Sequence, residues 1–261
     1  MIPLRDTIRL ERWPLVTIAL IVGNVVAYLV AIAGGGSLID GPSASTVVAY
    51  GAIPHELTHL SSHCGLAAAG FSQTVLCTGQ AGVIGRAMAQ PATWETAFTS
   101  MFLHANVLAL AIDVLFLTVF GTTLENALGR LRFLAFYIVG GLASLAVAVA
   151  VSPDSTAAML GASGAIAAVL GGYLVLFPQA RVLSVVLVPF FFRIAETPAW
   201  ALAATWVAIY VALGALEVTT PLGGGATAGY YGYLGGVAFG LIAVRGFARV
   251  RIPRYGPLRT A

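Results

Sequence analysis

Apolar residues along this chain gather into six blocks, at 14–33, 97–120, 133–151, 160–177, 198–216 and 228–247, each of 18 residues or more. At a helical rise of 1.5 Å per residue, about 20 residues cross the roughly 30 Å hydrocarbon core of a bilayer. Backbone polar groups in lipid must be satisfied within the segment itself, so each block is predicted as a transmembrane helix. A further apolar stretch, 182–196, is interrupted by Pro189 and Arg193. It is too short and too broken to span and reads as interfacial or membrane-dipping. The pattern predicts an all-α membrane protein, a six-transmembrane-helix bundle with a long first loop at 34–96 and no separate soluble domain.

Composition sharpens this. Only 9% of the 261 residues are charged and 59% are hydrophobic, whereas a soluble domain carries about 25% charge, so a water-soluble globule is excluded. All 13 basic residues are arginine. Six spans put Arg5, Arg9, Arg12, Arg130, Arg132, Arg181, Arg193, Arg245, Arg249, Arg251, Arg254 and Arg259 on one side, and Arg86 alone on the other with Asp40, Glu56, Glu95, Asp154 and Glu217. By the positive-inside rule both termini are cytoplasmic. The expected layout is a cytoplasmic segment at 1–13, a membrane domain at 14–247 with its outer loop at 34–96, and a basic cytoplasmic tail at 248–261, in the plasma membrane. A net charge of +3 thus reports topology rather than a nucleic-acid partner. Ala31-Ile32-Ala33 resembles a signal-peptidase site, but the apolar run before it exceeds the usual 7 to 15 residues, so the first block is retained as a span. Cys64 and Cys77 allow one bridge in the outer loop or two free thiols.

Few side chains in the predicted spans offer chemistry. Gly161-Ala162-Ser163-Gly164 sets a serine between glycines, an arrangement that suits close backbone approach and is also common where membrane helices pack. Gly232, Gly236 and Gly240 repeat at spacing four and form one flat packing face. His104 and Asp113 are polar residues in the second block, and a carboxylate near mid-membrane costs roughly 2.5 to 3.5 kcal/mol. Asp113 therefore faces the bundle interior. In the outer loop, His55-Glu56-Leu57-Thr58-His59 matches H-E-x-x-H, which on a long helix holds zinc with the glutamate as base.

Taken together, these residues resemble the rhomboid family of intramembrane serine proteases over about 15–249. Gly161-Ala162-Ser163-Gly164 resembles its G-x-S-G nucleophile motif. Ser100 to His104 resembles the start of its second helix, and Gly121, Glu125, Gly129 and Phe133 match its G-x3-E-x3-G-x3-F link to the third. The resemblance implies a helix-four serine that attacks a substrate transmembrane segment, a helix-six histidine that takes its proton, and no cofactor or metal. It assigns His104, Glu125, Gly129 and Gly236 structural parts. The loop sequence from Pro54 to His59 also resembles that of relatives that are not metalloenzymes.

Three positions depart from the pattern. Tyr233, followed by Leu234, Gly235 and Gly236, stands where the family has its histidine, and a phenol of ordinary pKa near 10 is a poor base at neutral pH. Ala109 and Asp113 stand where a second histidine and an asparagine help stabilise the oxyanion; alanine donates nothing and a carboxylate repels the developing charge. A Tyr233 hydroxyl donating to Asp113 would fill the space of the missing dyad. The expected function is a pseudoprotease that binds the transmembrane helices of client proteins. An active serine protease with an unconventional base is the alternative, and a loop metalloprotease at His55, Glu56 and His59 is the third reading.

Overall fold

The computed structural model describes all residues except 9, 60–61, 70–71, 79–90, 189–190, 220–226 and 249–261. Arg9, Arg86, Pro189 and the arginines of the tail lie outside the described residues. Helix α1 (Leu15–Ala33) buries Thr17, Leu20, Asn24, Tyr28 and Ala31 and turns Ile18, Val22, Val26, Leu29 and Val30 outward. Polar residues inside and apolar residues outside suit a helix whose solvent is lipid. The loop after α1 then folds as a short ladder of β2 (Gly36–Ser37) and β3 (Gly41–Pro42), helices α2 (Ala44–Tyr50) and α3 (Pro54–Thr58), and a hairpin of β4 (Cys64–Ala69) and β5 (Ser72–Cys77). Cys64 and Cys77 pair directly across that hairpin and form a disulfide.

The second apolar block does not start where hydropathy places it. Its first residues form α4 (Thr93–Thr99) and a 3-10 turn (Ser100–Phe102), then the chain extends through Leu103 to Asn106. The Asn106 side chain accepts the Ala109 amide at 2.9 Å and starts the helix there, as an Asn N-cap does. From that cap α5 (Val107–Phe116), a π turn (Leu117–Gly121) and α6 (Thr122–Leu128) run as one apolar helix of 22 residues. His104 therefore lies before the helix, not on it.

Gly129, at φ +83, breaks α6 from α7 (Arg130–Val151) with a left-handed corner that disfavours a side chain. One turn earlier, Glu125 accepts the amides of Val16 and Thr17 at 3.0 and 2.7 Å and the Thr17 hydroxyl at 2.7 Å. Pro14 at the start of α1 offers no side-chain cap, so Glu125 supplies from another helix what an N-cap ordinarily supplies locally. Glu125→Ala is expected to lower stability by about 2 kcal/mol through the amides left unpaired, read as a lower thermal midpoint of the purified protein. An unchanged midpoint would show that the α1 terminus does not depend on this carboxylate.

Helix α8 (Ser163–Leu176) is 14 residues long, about 21 Å, shorter than the block that predicts it because Gly161 breaks the chain before Ser163. Helices α9 (Ala199–Thr219) and α10 (Thr227–Phe247) complete the set. Among the described residues, Leu15–Ala33, Val107–Leu128 and Arg130–Val151 are long and apolar enough to cross a membrane.

The fold is also not purely helical. Residues 182–188 and 191–196 belong to an antiparallel pair of β6 (Arg181–Val188) and β7 (Phe191–Pro198), and β1 (Ile2–Asp6) adds to it in the order β1-β6-β7. Its run of valines favours a pleated strand over a helix. The N-terminal segment is thereby built into the structure. Asp6 accepts the Thr123 hydroxyl at 2.5 Å and the Tyr173 hydroxyl at 3.2 Å. Burial pushes its carboxyl above the ordinary range, and those two hydroxyls pull it back down.

Candidate active site

Ser163 is the first residue of α8, presented by Gly161 at φ +108 and Ala162. Gly161 donates its amide to the Ser100 carbonyl at 2.9 Å, which ties the turn before the serine to the turn before the second long helix. A cavity of about 450 Å³ opens beside Ser163, with Ser100, Met101, Ala109, Ser144, Met159 and Tyr210 in its walls. The serine is half-buried, and among the described residues its hydroxyl has no hydrogen-bond partner. A weak nucleophile at a helix N-terminus, open to a cavity, is in place, but no base touches it.

Asp113 is brought to the same turn. A Cβ at Gly161 would stand 3.5 Å from Ser163 Oγ and 3.8 Å from Asp113 Oδ2. The Asp113 carboxylate is thus beside the turn that opens α8, near its positive end. Its side-chain partner is His104 rather than Tyr233: His104 Nε2 lies 3.1 Å from Asp113 Oδ2. The other ring nitrogen, Nδ1, is 3.2 Å from the Phe102 carbonyl. A carbonyl only accepts, so Nδ1 carries a hydrogen, and one further proton is held between Nε2 and Oδ2. With both nitrogens engaged and 1% of the residue exposed, His104 holds the turn and the carboxylate together and does not face Ser163 as a base.

Tyr233 on α10 is buried and stacks flat on Tyr210 of α9, with centroids 3.8 Å apart and planes 3° apart. Tyr230 adds an edge-on contact to Tyr210 at 5.9 Å. Tyr210 and Tyr230 both line the cavity, and the sequence reading missed them. The spacing of Tyr230 and Tyr233, three apart on one helix face, is the signal that could have found this cluster. Ser144 was also missed. It donates to the Gly232 carbonyl at 2.7 Å and so fastens α7 to α10 beside the cavity. Gly236 packs on the Gly164 carbonyl, and Ala109 presents only a methyl group to the cavity. Glu125 and Gly129 belong to the α1 clasp and do not line it.

The H-E-x-x-H residues lie elsewhere. His55 and Glu56 are on α3, and His59 ends it. Glu56 is 2% exposed and accepts the Cys64 amide at the foot of the disulfide hairpin. Burial pushes its carboxyl upward, partly offset by that amide. Glu56 is thus bound to the hairpin and is not placed to activate water.

No curated protein matches the chain. The family model described as Rhomboid domain matches residues 91–249, which take in α4 through α10 and every residue around Ser163 named above. With more than half its length matched, and with the Gly161–Gly164 turn, Glu125 and the α8–α10 seam all inside the match, this apolar, helical chain is an intramembrane-protease-like membrane protein and belongs to the rhomboid family.

Proposed function

We propose that this protein is a six-span rhomboid of the plasma membrane, with both termini cytoplasmic, whose serine protease chemistry is impaired and which acts by binding transmembrane helices of client proteins. The observation that carries this reading is Tyr233, stacked on Tyr210 where the family's general base stands. A serine needs an adjacent base to become a nucleophile, and a phenol locked in a ring stack is not one. Asp113 adds a second obstacle, since a carboxylate beside the Gly161 turn and Ser163 opposes an oxyanion forming there. The cavity beside Ser163 is suited to receiving a small stretch of a partner helix.

Purified protein in lipid, incubated with a reporter transmembrane substrate, is expected to give the same product yield as Ser163→Ala. Product that Ser163→Ala removes would overturn the pseudoprotease reading. One observation favours the active alternative: Asp113 and Ser163 both border Gly161, so the carboxylate is the nearest candidate base. In that case Asp113→Asn would abolish the Ser163-dependent product. The metalloprotease reading lacks its base, because Glu56 is held by Cys64.

A further inference from the structure

We propose that His55, His59 and Asp154 form a binding site for a divalent transition metal of the zinc class, on the outer face of the protein and separate from Ser163. A ring nitrogen from each histidine and a carboxylate oxygen of Asp154 lie within 4.8 Å of one another. Two imidazoles and a carboxylate are a zinc-type donor set, which water or one more side chain completes to four. The two rings are stacked with centroids 4.4 Å apart and planes 16° apart, so binding requires a modest ring rotation for both lone pairs to converge. His59 is exposed, and its Nδ1 is held by the Thr58 hydroxyl at 3.0 Å and the His55 carbonyl at 3.2 Å, so Nε2 is the nitrogen it offers, whereas His55 is buried.

His55 supplies an independent observation. It is more than nine-tenths buried, yet its Nδ1 has no hydrogen-bond partner, and no other described residue bonds to its ring. A buried ring nitrogen without a hydrogen-bond partner is costly in a folded protein, and a metal ion would satisfy it. The backbone around it is already ordered: the His55 amide donates to the Ser155 carbonyl at 3.0 Å, and the Thr58 hydroxyl to the Pro153 carbonyl at 2.9 Å. These bonds hold α3 against the α7–α8 connection that carries Asp154, so little ordering remains for a metal to impose.

The site has a mechanical consequence. Six residues after the metal cluster's Asp154, Leu160 leads into Gly161 and Ser163, and Met159 of the same connection pairs with Ala52 in a β-bridge and lines the cavity. A metal bridging α3 to Asp154 pins the outer wall of the cavity in place.

The test uses the full chain, purified in detergent through a tag without histidines and stripped with chelator. Zinc titration is expected to saturate at one ion per chain, to raise the thermal midpoint, and, with cobalt in place of zinc, to give tetrahedral visible absorption. His59→Ala and Asp154→Asn, both at exposed positions, are each expected to weaken zinc binding by about tenfold or more. His63→Ala, outside the cluster, is expected to leave it unchanged. Absence of saturable zinc binding to the unaltered chain, or binding that survives both exposed-ligand variants, or binding lost in His63→Ala alone, would overturn the proposal.

Discussion

Placing His at 109, Asn at 113 and His at 233 in one chain is expected to create cleavage of a reporter transmembrane substrate that Ser163→Ala then abolishes. The scaffold these side chains need is present: Ser163 opens α8 beside a cavity of about 450 Å³ with Ala109 in its wall. At 113 the exchange also replaces the proton shared by His104 and Asp113 with a fixed donor. His104 donates from Nδ1 to Phe102, so a neutral ring offers a lone pair at Nε2. An amide at 113 can donate to that lone pair with no shared proton and no charge. At 233 the exchange gives up a ring stack worth on the order of 1 kcal/mol, which the fold can absorb, and puts a group of pKa near 6.5 in place of a phenol.

The base is the larger gain. Removing one member of a catalytic triad costs about 10⁴-fold to 10⁶-fold, and one oxyanion donor about 10²-fold to 10³-fold. The triple variant, which restores two such positions, is therefore expected to exceed Tyr233→His alone by at least about 10²-fold. A triple variant that keeps its thermal midpoint but yields no Ser163-dependent product would show that the scaffold itself, and not three side chains, has lost the chemistry.

How much of this was legible in the sequence depends on the physical range of each feature. Block hydropathy locates α1, α7, α9 and α10 to within a few residues, because a span is a composition effect summed over about 20 positions. It places the second helix about ten residues early, since Phe102 and Leu103 are as apolar as the helix proper and only the Asn106 cap marks the true start. It cannot separate the β6–β7 pair from an interfacial segment, because a short apolar run has no period that distinguishes strand from helix. The matched spacing of Gly121, Glu125, Gly129 and Phe133 was visible, but not its work, because Glu125 acts on amides more than a hundred residues away. The same holds at the candidate site. Asp113 stood out as a buried charge, but a pairing with His104 depends on the chain folding back between Leu103 and Asn106, and Tyr210 reaches Tyr233 only once α9 and α10 are side by side.

Adding a single methyl group at Gly240 is expected to destabilise the protein by about 3 kcal/mol, the upper end for overpacking, while the same addition at Gly246 on the same helix is expected to be neutral or stabilising by up to about 1 kcal/mol. The difference lies in what the new Cβ meets. At Gly240 it runs into the Ala168 carbonyl oxygen and the Gly172 amide of α8; at Gly246 nothing lies within 4 Å. Gly236 faces the Gly164 carbonyl in the same way, and Gly171 of α8 faces the Val237 carbonyl in return. These are backbone atoms, which have no rotamer to change, so relief requires α8 and α10 to move apart along the seam that carries Ser163 and Tyr233. In lipid, where apolar burial between helices gives little drive, this close backbone approach is what holds the two together. Thermal unfolding of Gly240→Ala and Gly246→Ala in one detergent measures both. Equal shifts would mean that the glycines at spacing four are not there for close packing, and a bulkier seam would then be compatible with the site.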